Sequence, residues 1–348
     1  MYKRIKIENL TKLLLFFLLA ISFLAIISTS YATDITIGPN TPGGLKQAIE
    51  TAQNGDTIYM ENGVYKGANN RGLNINKSIN IQGKGKNVII DAQGKDRIFL
   101  IVSYNQNKFY KISVTFRNLK MTNGNTKGYG GAIYSYNSKN LLKVIDCIFT
   151  NNKGSSGGAI SGSMARDNYT FVKGCVFKNN IANYGGALAR IYSVSNSNFT
   201  KNKASSWTGG AIQLALLVSN CIFTKNQAAL DGGAIGSSPA LKITKSVFNN
   251  NKAKQNGGAI LHHPFSKEDS LTIENCKFKK NNGGKGGAIC IQPGVINSTV
   301  KYSLIIKNTK FENNIAKNKY NAYHTLGNVK VTKKNVKITP KDGTKVKK

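Results

Sequence analysis

The sequence predicts an all-β chain wound as a parallel β-helix, a solenoid of roughly ten coils with a short N-terminal capping helix. Three observations predict it. Gly-Gly-Ala-Ile or Gly-Gly-Ala-Leu returns from Gly130, Gly157, Gly185, Gly209, Gly232, Gly257 and Gly286, at steps of 27, 28, 24, 23, 25 and 29 residues. A second mark keeps pace, the column Phe149, Phe177, Phe199, Phe223, Phe248, Phe278 and Phe311. Finally, apolar runs such as Val144 to Phe149 and Leu241 to Phe248 are short and bounded by Asn- and Gly-rich turns. Helical repeats of this length need apolar positions at 3.6-residue spacing and few glycines, so strands are the consistent reading.

Stacked coils lie about 4.8 Å apart, so equivalent side chains form columns along the rod. The paired glycines permit positive φ at a corner, and the Ala and Ile after them enter a narrow interior. Two positions before each Phe stand Cys147, Cys175, Ser197, Cys221, Ser246, Cys276 and Thr309, an inward column where only a small group fits. After the Phe come Asn152, Asn180, Asn202, Asn226, Asn251, Asn282 and Asn314, whose amides are placed to hydrogen-bond along a turn.

The order Phe, two residues, Asn, Ala, then the glycine pair, as in Phe177, Asn180, Ala182 and Gly185 to Leu188, resembles the repeat of chlamydial polymorphic outer-membrane proteins. It resembles still more the adhesin-like surface proteins of methanogenic archaea. The resemblance runs from about Asp34 to Phe311 and implies a right-handed, pectin-lyase-like β-helix. That architecture hosts adhesins, lyases and hydrolases alike, so the resemblance implies a fold and leaves the activity open.

Three segments follow in chain order. Residues 1–32 read as a signal peptide: Lys3, Arg4, Lys6 and Lys12 precede an apolar run from Leu13 to Ile27, and Ser30-Tyr31-Ala32 offers cleavage after Ala32. Secretion to the cell surface or wall is the expectation. The alternative is an uncleaved anchor, although the run falls short of the roughly 20 residues a membrane span needs. Residues 33–330 form the β-helix, opened by Leu45, Ala48, Ile49 and Ala52 on one face of a short helix that covers the core. Residues 331–348 are expected as a lysine-rich tail. Lys330, just before it, and Lys333, Lys334, Lys337, Lys341, Lys345, Lys347 and Lys348 within it are the candidate polyanion-binding residues.

Lys and Arg number 49 against 15 Asp and Glu, a formal net charge of +34. Lysines lie along the whole chain, without Arg or aromatic clustering in the sequence, and Trp207 is the single tryptophan. A specific nucleic-acid reader concentrates its charge on one face. The expected partner is an anionic wall polymer, an acidic glycan or a neighbouring cell surface, held by many weak contacts. The bland alternative is that charge keeps a secreted rod soluble. The five cysteines sit in or near a column of parallel side chains, and are expected as buried thiols.

Catalytic constellations are sparse. A lyase needs a base with clustered carboxylates for calcium, and a hydrolase needs carboxylates across the scissile bond. Asp231 stands before its glycine pair without a second acid, and Arg190 and His262 share one column three coils apart. Glu268, Asp269, His262 and His263 sit near one loop-like insertion and are the best remaining candidates. No metal spacing or cofactor motif is present. A non-catalytic adhesin-like surface protein is therefore the favoured reading, with a polysaccharide lyase or hydrolase and a structural wall component as alternatives.

Overall fold

A computed structural model describes residues 33–105, 108–136, 140–163, 169–237, 240–294, 300–317 and 320–340. The segment 1–32 read as a signal peptide, its expected cleavage after Ala32, and Lys341, Lys345, Lys347 and Lys348 lie outside the described residues. The chain is a right-handed parallel β-helix. Its Phe-bearing sheet has 11 strands, from Gly63–Tyr65 to Lys337–Thr339, one coil more than the sequence count.

One coil shows the path. The strand Leu141–Ile145 ends at Asp146, whose φ of 53° turns the chain and brings Cys147 inward. The strand Ile148–Thr150 carries Phe149 into the core, and Asn151, at φ 57°, makes the second corner. Gly157, at φ 65°, makes the third, before Ile160–Ser161. Left-handed backbone costs little for Asn and least for Gly, which explains the turn composition.

The glycine pair divides its work, which corrects the expectation that both residues serve the turn. Only the first glycine of each pair has positive φ, 60° at Gly130. The second is small because its neighbours are close: a Cβ on Gly131 would run into the Gly158 carbonyl oxygen and the Lys153 backbone of the next coil.

The core is columnar. Rings of Phe149, Phe177, Phe199, Phe223, Phe248, Phe278 and Phe311 stack at 4.7–5.0 Å with planes 3–9° apart. Tyr65, Ile90 and Met121 extend the column towards the N-terminus, in register. The small column satisfies corner N–H groups. Ser197 Oγ accepts from the Cys175 N–H at 3.0 Å, and Ser246 Oγ from the Cys221 N–H at 3.1 Å. All five cysteines are buried free thiols. Burial pushes the Cys147, Cys221 and Cys290 thiols up to about 12 and that of Cys276 to about 11.

The Asn column is an uninterrupted amide ladder with one correction. Its member in the Phe278 coil is Asn281, not Asn282: Asn281 is fully buried and its N–H donates to Asn314 Oδ1 at 3.0 Å, whereas Asn282 points outward beside Lys252. Adjacent strand residues face opposite sides, so a shift of one moves the amide from core to solvent.

The ends differ. The helix α1 (Gly44–Thr51) lays Leu45, Ala48 and Ile49 over the first coil, and Asn70 Oδ1 accepts the Leu45 N–H at 3.1 Å. At the other end the stack runs past the expected boundary at Lys330. Val329–Lys334 pairs in parallel with Tyr302–Lys307, and Lys337–Thr339 with Lys310–Glu312, so residues 331–339 form a coil instead of a loose tail.

Candidate functional site

Outward columns carry the chemistry, because inward ones are filled by the core. On the sheet that precedes each small-residue corner, Thr57, Asn80, Thr115 and Lys143 align in register, and beside them Tyr59, Gln82, Arg117 and Ile145. These two ladders line a shallow basin of about 290 Å³. Lys84 lies 5.5 Å over the Tyr59 ring and Arg117 is 3.8 Å from Asp146, so the basin offers hydroxyls, amides, one ring and several cations.

The last coils carry a second cationic surface. Lys277, Lys310 and Lys337 stand opposite one another in successive strands, and Lys307 stands opposite Lys334. Glu312 reaches Lys277 at 2.9 Å, which holds the Glu312 carboxyl below its ordinary value. Of the candidate lysines within the described residues, Lys330, Lys334 and Lys337 occupy outward positions. Lys333 is exposed as well, although it is in register with buried Ile306, and it lies 5.7 Å over the Tyr323 ring.

The acid and histidine candidates separate. His262 is fully buried on the strand Ile260–His262, with Nε2 3.0 Å from the Asp269 carbonyl oxygen. Burial holds it below its ordinary value. Asp269 Oδ2 accepts the N–H groups of Phe265 and Ser266 at 3.0 and 2.9 Å, so this carboxylate ties a turn. Glu268 is exposed and pairs with Lys267. Arg190 does not share the inward column with His262 after all, because its φ of 57° turns it outward. Asp231 and His263, both half-buried, feel each other's charge. Burial raises the Asp231 carboxyl, although it accepts the Asn256 N–H at 2.8 Å, and burial lowers His263 against the opposing charge of Asp231. Among the described residues no group of three or more His, Cys, Asp or Glu side chains is placed to hold a metal ion.

Sequence reading missed one cluster altogether. Arg97 and Arg190, far apart in the chain, meet Tyr129 and Tyr134 on the outside of the glycine corner, with cation-to-ring distances of 5.5 and 5.3 Å. Tyr104, Phe109 and Tyr136 continue the cluster at centroid spacings of 4.9–5.9 Å. The residues follow no period, so only the winding of the coils assembles them.

A model of the Chlamydia polymorphic membrane protein repeat matches residues 146–163, 220–238 and 245–262. Each match begins at a left-handed corner residue, Asp146, Asn220 or Lys245, and takes in a Phe and a glycine pair. Comparison with curated protein sequences gives no match. Among solved structures, the chain is similar to a pectin methylesterase from Aspergillus niger in deglycosylated form, at 11% identity over 92% of each chain with a TM-score of 0.36. It is also similar to the catalytic domain of a GH87 alpha-1,3-glucanase in complex with tetrasaccharides, at 11% identity over 86% of this chain and 68% of that one, TM-score 0.38. The same domain in complex with nigerose gives 12% identity, equal coverage and a TM-score of 0.37. These likenesses carry no argument about activity.

Proposed function

We propose that this chain is an exported, surface-located β-helix of the adhesin-like type that holds anionic wall polymers or acidic glycans, its own or those of a neighbouring cell, without cleaving them. The observation that carries the reading is the register of Lys277, Lys310 and Lys337. Like charges directly opposite one another in a sheet weaken it, so a lysine column is costly to the free rod and favourable once a polyanion lies along it. The basin of Tyr59, Gln82, Arg117 and Lys143 supplies further cations and hydrogen-bonding groups on a second stretch of the rod. Rigid, repeated contacts of this kind act together, so many weak ones give useful avidity.

The test is binding of polygalacturonate and of purified anionic wall polymer at low and high salt. Charge contacts are screened over about 8–10 Å at physiological salt, so binding is expected to fall steeply as salt rises. Polymer binding with no salt-sensitive component would overturn the reading.

A second reading, cleavage of an acidic glycan, is favoured by one observation, the half-buried carboxyl of Asp231, which accepts the Asn256 N–H at 2.8 Å and feels the charge of His263. Release of shortened or unsaturated sugars that disappears in Asp231→Asn would establish it in place of the first.

A further inference from the structure

The repeat supplies its own control for what the fold requires. Two residues before the first glycine of each pair stand Gly128, Ser155, Asn183, Trp207, Leu230, Gln255 and Gly284. Glycine serves at both ends of this column, so the corner needs no bulk there. Trp207 is nevertheless 48% exposed and lies flat beside Tyr184, with centroids 5.7 Å and planes 2° apart. The fold gives no reason for this ledge of two parallel rings.

The ledge belongs to a longer line. Tyr184 is in backbone register with Ser156, and Ser156 with Tyr129. At Tyr129 the line reaches the cluster that sequence reading missed. Arg190 covers the Tyr129 ring and donates through Nη1 to Ser156 Oγ at 3.2 Å. Arg97 covers Tyr134 and is fixed by Nε, which donates to the carbonyl oxygens of Tyr129 and Gly130 at 3.0 and 2.9 Å. Beside the ledge, Ser205 and Ser206 hydroxyls lie 3.1 and 3.2 Å from Asn183 Oδ1. Four successive coils thus present, on one corner, a ring pair with two guanidinium groups, a hydroxyl, and a second ring pair rimmed by hydroxyls and an amide.

We propose that the corner from Tyr129 to Trp207 binds a carboxylated saccharide chain along the rod axis, with sugar rings on the Tyr184–Trp207 ledge and carboxylates towards Arg190 and Arg97. Flat rings with wet edges suit a ligand that is apolar on its faces and polar around its rim. The planar guanidinium fork matches a carboxylate and is held here by stacking, which preserves its orientation. This site deepens the glycan-binding reading but shares no residue with the basin at Tyr59 or with the lysine columns, so the two can fail separately.

Because Trp207 is the single tryptophan, its fluorescence reports on the ledge directly. The full chain is titrated with oligogalacturonate, with a neutral cello-oligosaccharide and with a polyproline peptide, at low salt and at about 0.5 M NaCl. A saturable change with oligogalacturonate that survives the higher salt is expected. By calorimetry, Trp207→Gly, which copies Gly128 and Gly284, and Arg190→Gln should each weaken that binding about tenfold or more. A silent Trp207, an equal or stronger response to polyproline or to the neutral sugar, or unchanged binding in Trp207→Gly overturns the proposal. Loss of the distributed-charge reading would appear elsewhere, as polymer binding that ignores salt or the removal of lysines from the columns.

Discussion

Asn226 donates through Nδ2 to Asn251 Oδ1 at 3.0 Å, and the same oxygen accepts the Asn226 backbone N–H at 3.0 Å. The amide of Asn226 also reaches back to the Phe199 carbonyl oxygen at 3.0 Å, so one side chain serves three coils. Asn226→Leu leaves several of these buried groups without partners, each worth about 1–3 kcal/mol. The unfolding free energy read from urea titration is expected to drop by several kcal/mol. Asn282→Ala, one residue off the ladder in its own coil, should stay within about 0.5 kcal/mol.

A second expectation concerns the glycine pair. Gly131→Ala places a methyl against backbone that cannot move aside, and should destabilise by about 1–3 kcal/mol or more. Lys242→Ala, on an exposed outward position, should be near neutral. Equal denaturation midpoints for the two variants would show that the coils are spaced more loosely than described.

The buried thiols predict a pH dependence. The folded values of Cys147, Cys221, Cys276 and Cys290 lie near 11 to 12, above the ordinary value of 9.0, and burial raises Cys175 too, so above about pH 9 the unfolded chain loses protons that the folded chain keeps. Stability should therefore be full below pH 9 and decline as pH rises towards 12. Cys221→Ser should fold within about 1 kcal/mol of the parent, because Ser197 and Ser246 already occupy the column, and should flatten that decline. Denaturation midpoints between pH 7 and pH 11 provide the check.

The lysine columns predict opposite effects on folding and binding. Lys310→Gln with Lys337→Gln removes facing charges, and should stabilise the free rod by roughly 0.2–1 kcal/mol. The same variant should bind polygalacturonate more weakly and with a shallower salt dependence. A variant that loses stability, or binds as before, would locate the polyanion surface elsewhere.

Much of this molecule is legible in its sequence, for a physical reason. Phe149 to Phe311 recur because each coil must fill the same interior space, so the fold writes one residue per turn into the chain. The misreading at Asn282 shows the limit of that signal: in the doublet Asn281-Asn282 composition cannot say which residue faces inward, and only the register decides. Lys333 is hard to place likewise, since its register with Ile306 is an inward one although the side chain is exposed. Variation in repeat length has a structural source too. Leu188–Ser195 and Ile212–Ser219 run as single strands bent at Arg190 and Leu214, and they fall in the two shortest repeats. The meeting of Arg97, Arg190, Tyr129 and Tyr134 left no trace in the sequence, because it depends on three coils at once and on no repeated residue.

The hydrogen bonds between coils lie along the rod, some donated to the next coil, as from the Ala159 N–H to the Ala187 carbonyl oxygen, and some to the preceding one, as from the Lys153 N–H to that of Gly124. A pull on the two ends therefore loads each rung lengthwise, and a coil can leave the stack while its neighbours hold. Among the described residues the first coil is covered by α1, whereas Val329, Val331, Val336 and Ile338 of the last are only partly buried, so that coil is held less firmly than the first. Each released coil lets out about 80–100 Å of chain. A rod of such coils yields in steps under tension, a shock absorber whose stroke is set by the length of the repeat.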